Sequence, residues 1–273
     1  MEHARIGFIG LGDIGLPMAR RLLQQGLTVV SSANRRREPF DELKPLGLIE
    51  CNSVREVAEQ VEVLLTIVID EKQTDAVLHG NNGAFAGLAA DSIVLVMSTL
   101  SPGYCQGLAE EAGRNGIHVL DCPITGGVIA AANGTLGLLA GGEISALDRC
   151  RGALAPLGTI YHCGAVGKGQ IAKLANNAVA FANCAALDEA RSMAKAHGMD
   201  LPKLMQIISH GTGQSFMTDK WDFIVDNWSH LRPLGQKDVN LFIDAARTKG
   251  LTSKVIETMN SSSWTIQSDN RAT

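Results

Sequence analysis

Residues Arg5–Gly15 read RIGFIGLGDIG. Arg5–Ile9 is a short apolar run, glycines follow at Gly10, Gly12 and Gly15, and Leu16–Gln25 is amphipathic. Strand, glycine turn and helix in that order form the context a dinucleotide fingerprint requires. Gly10 permits the tight turn, and Gly12 lets the backbone approach a pyrophosphate. Gly15 lets the helix pack closely on the strand, and the first N–H groups of the helix face the anion. The GxGxxG spacing alone is weak evidence. Its weight comes from standing at the head of an alternating pattern.

That alternation continues to Cys163. Leu27–Ser32, Val63–Val68, Ile93–Met97, Ile117–Leu120, Leu136–Ala140 and Thr159–Cys163 read as further strands, with helices such as Ser101–Asn115 and Ser145–Leu154 between them. A strand–helix alternation predicts a parallel sheet with helices on its faces. Beyond Gly164 the pattern is helical: a long helix from Gly167 to His197, then Leu201–Ser209, Met217–Asn227, Lys237–Lys249 and Ser253–Met259. The expected fold is α/β, a Rossmann-type doubly wound, mostly parallel sheet over residues 1–164. An all-helical substrate and dimerisation domain follows over 165–273, reached by a long interdomain helix.

An acid that grips the adenosine ribose is expected about 20 residues beyond the fingerprint. Asn34 stands there, followed by Arg35, Arg36 and Arg37. No carboxylate repels a 2′-phosphate at this position, and guanidiniums bind phosphate bidentately. This favours NADP(H), with NAD(H) possible. The alternative is a solvated basic turn.

Lys173 is the only charge in the stretch QIAKLANNAVAFANCAAL, Gln170–Leu187. Apolar residues lie all round the helical wheel, which predicts a buried helix. A lysine there either snorkels to the surface or has a depressed pKa and a chemical task. Asn176 and Asn177 lie one turn on, on the same face. Upstream, Leu120–Gly127 reads LDCPITGG. Thr125, Gly126 and Gly127 offer a hydroxyl and two unhindered backbone N–H groups, either a carboxylate cradle or a structural turn.

A chain of 273 residues with net charge −4 gives no electrostatic case for nucleic acid or an anionic membrane. No segment reaches the roughly 18 unbroken apolar residues of a membrane span, and MEHARIGFIG enters a strand with no cleavage pattern. Six cysteines show neither CxxC nor zinc spacing, and the seven histidines are scattered, so no metal site is expected. A reducing cytoplasm is the expected setting. The long apolar helix needs more cover than a small helical domain gives, which predicts a homodimer or homotetramer.

Taken together, these motifs resemble the β-hydroxyacid dehydrogenase family, from Arg5 to about Gly250. GFIGLGDIGLPMA, DCPITGG, GKGQIAKLANN and the Lys237–Asp238 pair in GQKDV match the family's four ordered motifs. Ile14 stands where methionine is usual and Thr125 where serine is common. TIVID at Thr66–Asp70 lacks the family's proline, and the family's last one or two helices are not matched after Gly250. The resemblance implies hydride transfer between a nicotinamide and a short β-hydroxyacid or semialdehyde carboxylate. Lys173 would then be the general acid/base and Asn177 its support. Thr125, Gly126, Gly127 and Asn176 would hold the substrate. Cofactor contacts would come from Gly10, Leu11, Gly12, Asp13, Ile14 and Gly15, then Asn34, Arg35, Arg36, Val68, Ile69, Thr99 and Lys237. The alternatives are an imine reductase-like enzyme, against which Lys173 argues, a longer phosphogluconate-type decarboxylating enzyme, and a catalytically silent NADPH-binding scaffold.

NADPH should bind more tightly than NADH, and replacing Arg35 and Arg36 by Ala should weaken NADPH selectively, by about tenfold or more per lost charged hydrogen bond. Fluorescence titration of both cofactors checks this. Equal dissociation constants in the native protein would overturn it.

Overall fold

The computed structural model describes residues 5–33, 36–261 and 266. The chain divides into two compact units, Met1–Lys173 and Leu174–Thr273.

The first unit holds nine described strands: Arg5–Ile9 (β1), Thr28–Ser32 (β2), Ile49–Cys51 (β3), Val63–Thr66 (β4), Ile93–Val96 (β5), His118–Asp121 (β6), Ile124–Thr125 (β7), Leu136–Gly141 (β8) and Gly158–Gly164 (β9). Between them run Gly15–Gln24 (α1), Glu38–Leu43 (α2), Val54–Ala58 (α3), Glu71–Leu78 (α4), Pro102–Gly113 (α5), Gly127–Asn133 (α6) and Ile144–Leu154 (α7). The sheet order is β3-β2-β1-β4-β5-β6-β8-β7, with β9 also paired to β8. Strands β1 to β6 pair in parallel with one another. This 3-2-1-4-5-6 order reverses between β1 and β4, the switch point at which such sheets bind dinucleotides.

Every residue of β5 is buried. Ile93 and Leu95 face one core, with Phe8, Val29, Leu65 and Leu120, while Val94 and Val96 face the other, with Val30, Leu64 and Val119. A parallel strand covered on both faces reads as a continuous apolar run rather than an alternating one, as IVLV does. Helices α3, α4 and α5 start on side-chain caps, Ser53, Asp70 and Ser101, each accepting from the backbone N–H three residues on. Helix α1 has no such cap and no acid in its first turn.

The structure corrects several expectations. The three-residue β3 and two-residue β7 carry too short a pattern to register in the sequence. The sheet is mostly parallel, as expected; β8 alone runs antiparallel to β6 and β7, because the chain doubles back through α6 instead of crossing over.

Helix α8, Lys168–Ala196, begins in the first unit and continues into the second. It is not buried all round within this chain. Leu174, Ala178, Cys184 and Leu187 are buried, but Ile171 and Val179 are 43% and 61% exposed. With almost every position apolar, the sequence has no contrast from which the covered face can be read. The second unit continues with Leu201–His210 (α9), Phe216–Asp219 (α10), Trp221–Asp226 (α11), Trp228–Arg247 (α12) and Lys254–Ser261 (α13). The single helix expected over Met217–Asn227 is broken at Lys220. Helix α12 starts nine residues before Lys237 and carries Pro233 inside. Proline is tolerated early in a helix, where the N–H it lacks has no intrahelical acceptor, but Pro233 lies in the second turn, so helix formation here overrides a breaker. Among the described residues no helix is long and apolar enough to cross a membrane.

Gly10 adopts φ +108°, and a Cβ there would strike the Ile67 carbonyl after β4, whereas a Cβ on Gly12 would meet nothing within 4 Å. Gly10→Ala should therefore cost about 1–3 kcal/mol of stability. Gly12→Ala should stay within about 0.5 kcal/mol yet weaken dinucleotide binding, because the methyl fills the space a pyrophosphate needs. Urea unfolding and cofactor titration of both variants separate these effects; equal stability losses would contradict the reading.

Candidate active site

The carboxyl ends of β1, β4, β5 and β6 lie side by side, and the polypeptide leaving them carries most of the expected residues. From β1 come Gly10, Leu11, Gly12, Asp13 and Ile14, ending at Gly15, the buried first residue of α1. A Cβ on Gly15 would strike the Gly10 carbonyl, so both glycines are demanded by close approach. Helix α1 starts with no side-chain cap, and Gly12 leaves open space at the turn that precedes it, where an anion can approach the backbone. The residues present fit a dinucleotide.

From β4 come Val68, half-buried, and Ile69, exposed. The Val68 N–H donates to Ser98 Oγ at 2.8 Å. Thr99, half-buried, follows β5. From β6 the chain passes through β7 to Thr125, half-buried, and to Gly126 and Gly127, both exposed and both at positive φ (+117° and +72°). A Cβ on Gly126 would press on Ala130, which keeps side chains away from the N–H groups of this turn.

Asp121, the last residue of β6, is fully buried. Its Oδ1 accepts from the Gly167 N–H and its Oδ2 from the Gln170 N–H, both at 2.7 Å. Burial pushes its carboxyl above the ordinary aspartate range, and backbone N–H donors oppose that rise. These bonds fasten the first turn of α8 to the carboxyl edge of the sheet. Lys173, half-buried, stands one turn further along the same helix and belongs to the same unit.

In the second unit, Asn176 Nδ2 donates to Asn177 Oδ1 at 3.1 Å, and Asn177 Nδ2 donates to Asp238 Oδ2 at 2.6 Å. The Lys237 ammonium lies 2.9 Å from Asp238 Oδ1. Asn177 and Lys237 are thus joined through Asp238.

On the basic turn, Arg36 is exposed with Glu38 at 3.8 Å. Arg37 is engaged by Glu50 and lies over the Phe40 ring. Asn34 and Arg35 lie outside the described residues. All six cysteines are unpaired, and burial holds the Cys150 and Cys184 thiols up at about 12, so neither is a nucleophile near neutrality. Among the described residues no cluster of His, Cys, Asp and Glu suits a metal ion.

Sequence reasoning gave no role to Asp121, Gln170, Ser98 or Asp238. A signal existed for the first two, a carboxylate closing an apolar strand and an amide one turn ahead of the lysine. Ser98 had none, since its role comes from a backbone N–H thirty residues away.

The switch-point sheet and its uncapped glycine turn define a dinucleotide-binding enzyme. Residues 5–167 match the NAD-binding domain of 6-phosphogluconate dehydrogenase, and residues 167–270 match the NAD-binding region of NADP-dependent 3-hydroxyisobutyrate dehydrogenase. L-threonate dehydrogenase of Cupriavidus necator is 31% identical over 248 residues, covering 89% of this chain and 83% of that protein. A solved Mycobacterium tuberculosis 3-hydroxyisobutyrate dehydrogenase with L-serine superposes with a TM-score of 0.81 at 25% identity, over 95% of this chain and 92% of that one. A Streptomyces aurantiacus imine reductase, 18% identical with a TM-score of 0.70 over 94% of this chain and 92% of that one, shares the fold. The chain belongs to the β-hydroxyacid dehydrogenase family and is an NAD(P)-dependent enzyme of that kind.

The raised pKa of Asp121 has a sign that can be tested. Below the ordinary value of 3.8 the group is protonated folded or unfolded and contributes nothing. As pH climbs from there to the raised value, the unfolded chain ionises first, so this group's contribution to stability falls, then levels off above it. The native-minus-Asp121→Asn difference in urea-unfolding free energy should therefore slope downward from about pH 4. A rising difference would mean the backbone donors outweigh burial.

Proposed function

We propose that this enzyme is an NADP(H)-preferring dehydrogenase of short β-hydroxyacids, running between the hydroxyacid and the matching semialdehyde, with Lys173 as the general acid/base. The nicotinamide supplies or accepts the hydride when bound. The chain's own residues do the rest. Thr125 Oγ1 and the N–H groups of Gly126 and Gly127 hold the substrate carboxylate, fixing the reacting carbon. Lys173, as an ammonium, donates a proton to the alkoxide oxygen in reduction; as an amine it takes the hydroxyl proton in oxidation. Asn177, tethered by Asp238, presents its remaining hydrogen-bonding capacity to the substrate or the lysine. Gly10–Gly15, Val68, Ile69, Thr99 and Lys237 serve the cofactor. Asn34 in place of an acid, with Arg35 and Arg36 beside it, supports NADP(H).

The observation that carries this reading is Lys173 itself, the sole charge of an apolar stretch, one turn from a helix start hydrogen-bonded to the cofactor edge of the sheet. The relatives named for hydroxyacids support it over an imine reductase, whose likeness extends to the fold. Residues 1–164 would carry the cofactor and 165–273 the substrate and subunit contacts. The exposed Ile171 and Val179 of α8 would be covered by a second copy in a dimer or tetramer, in a reducing cytoplasm that suits unpaired thiols.

Lys173→Ala should lower single-turnover reduction by about 10²–10⁴-fold while leaving NADPH affinity nearly unchanged. Lys173→Arg should not rescue it, because a guanidinium does not exchange its proton near neutrality. Glyoxylate, succinic semialdehyde, tartronate semialdehyde and methylmalonate semialdehyde form the substrate panel. Near-native rates in Lys173→Ala would move the proton donor elsewhere.

A further inference from the structure

Gln170 is fully buried, three residues before Lys173. Burying an amide costs free energy unless its donors and acceptor are paired, so packing alone would favour an apolar residue at this place. The pairing is extensive. Gln170 Oε1 accepts from the Leu100 N–H at 3.0 Å, and Nε2 donates to the Ser98 carbonyl at 2.9 Å. Ser98, itself 2% exposed, accepts on Oγ from the Val68 N–H at 2.8 Å. The Gln170 N–H is in turn held by Asp121.

A chain of hydrogen bonds thus runs from half-buried Val68, on the chain leaving β4, to the Oγ of Ser98 after β5, and from the carbonyl of Ser98 to buried Gln170 in α8. Asp121 at the end of β6 closes it from the other side. One end lies at the cofactor edge of the sheet, and the other lies one helical turn from the lysine. Three parallel strands and one helix meet in it, so a shift at either end must break a buried hydrogen bond.

We infer that Gln170, working with Ser98 and Asp121, is a positioning residue that holds Lys173 in register with the cofactor-binding edge. The inference rests on the proposed role of Lys173. A misplacement of about 1 Å between reacting groups can cost about 10²-fold in rate, whereas a staple with only a structural role would cost stability and leave the chemistry of the folded enzyme alone.

A double-mutant cycle separates the two. Native enzyme, Gln170→Met, Lys173→Ala and the double variant are saturated with NADPH. Single-turnover reduction is then followed with the fastest of glyoxylate, succinic semialdehyde and tartronate semialdehyde. Gln170→Met should slow the native enzyme by about tenfold or more, with NADPH affinity and substrate KM within about threefold. In the Lys173→Ala background the same change should cost less than about twofold, because there is no lysine left to misplace. Equal losses in both backgrounds, or a native rate in Gln170→Met, would overturn the positioning role. Near-native turnover in Lys173→Ala would overturn the reading beneath it, a result distinct from additive losses. Should Gln170→Met fail to fold, Ser98→Ala cuts the link to Val68 instead and is expected to show the same dependence on Lys173.

Discussion

A buried carboxylate that accepts two hydrogen bonds of 2.7 Å fixes the first turn of α8 on the carboxyl edge of the sheet. Asp121 ends an apolar strand with its side chain out of water, and its oxygens meet the N–H groups of Gly167 and Gln170 at the start of α8. A helix start has orphan N–H groups that need partners, and a buried carboxylate needs donors. Each supplies what the other lacks. The balance is incomplete, since burial still holds the carboxyl above its ordinary range. Part of the folding free energy is therefore committed to fixing one helix on one edge of the sheet. That edge carries the glycine turn and the segments after β4 and β5, so the cost falls where geometry matters for chemistry.

The same economy explains what was readable in the sequence. The fingerprint turn was legible because Gly10 and Gly15 are forced by sterics that only glycine satisfies. The strands β1, β4, β5 and β6 were legible because strands buried on both faces must be unbroken apolar runs. The four motifs also pointed to the family that the comparisons show. Other features left no local trace. Strand β3 has three residues, and the antiparallel turn of β8 depends on a pairing partner distant in sequence. The exposed face of α8 was hidden by an alanine-rich composition in which covered and uncovered positions look alike.

The site divides along the same line. Residues whose type is itself the chemistry, Lys173 and the Thr125–Gly127 turn, stand out in the sequence. Residues that act by holding others, Asp121, Gln170 and Ser98, do not, because serine, glutamine and aspartate are common and their partners are distant backbone atoms. Arg37 shows the converse. It completes a triple-arginine run that looks like one phosphate-binding patch, yet Glu50 and Phe40 already occupy its guanidinium.

Gly235 lies in α12, two residues before Lys237, and a Cβ there would collide with the ring of Phe181 on α8. Asn177 is one turn before Phe181, and Asp238 is three residues beyond Gly235. The ring and the missing methyl therefore bring the two helices close enough for the Asn177–Asp238 hydrogen bond. Seen as a path through sequence space, the pair has a preferred order. A chain that enlarges position 235 first wedges the helices apart and strains that bond, whereas one that shrinks position 181 first opens room for the later change.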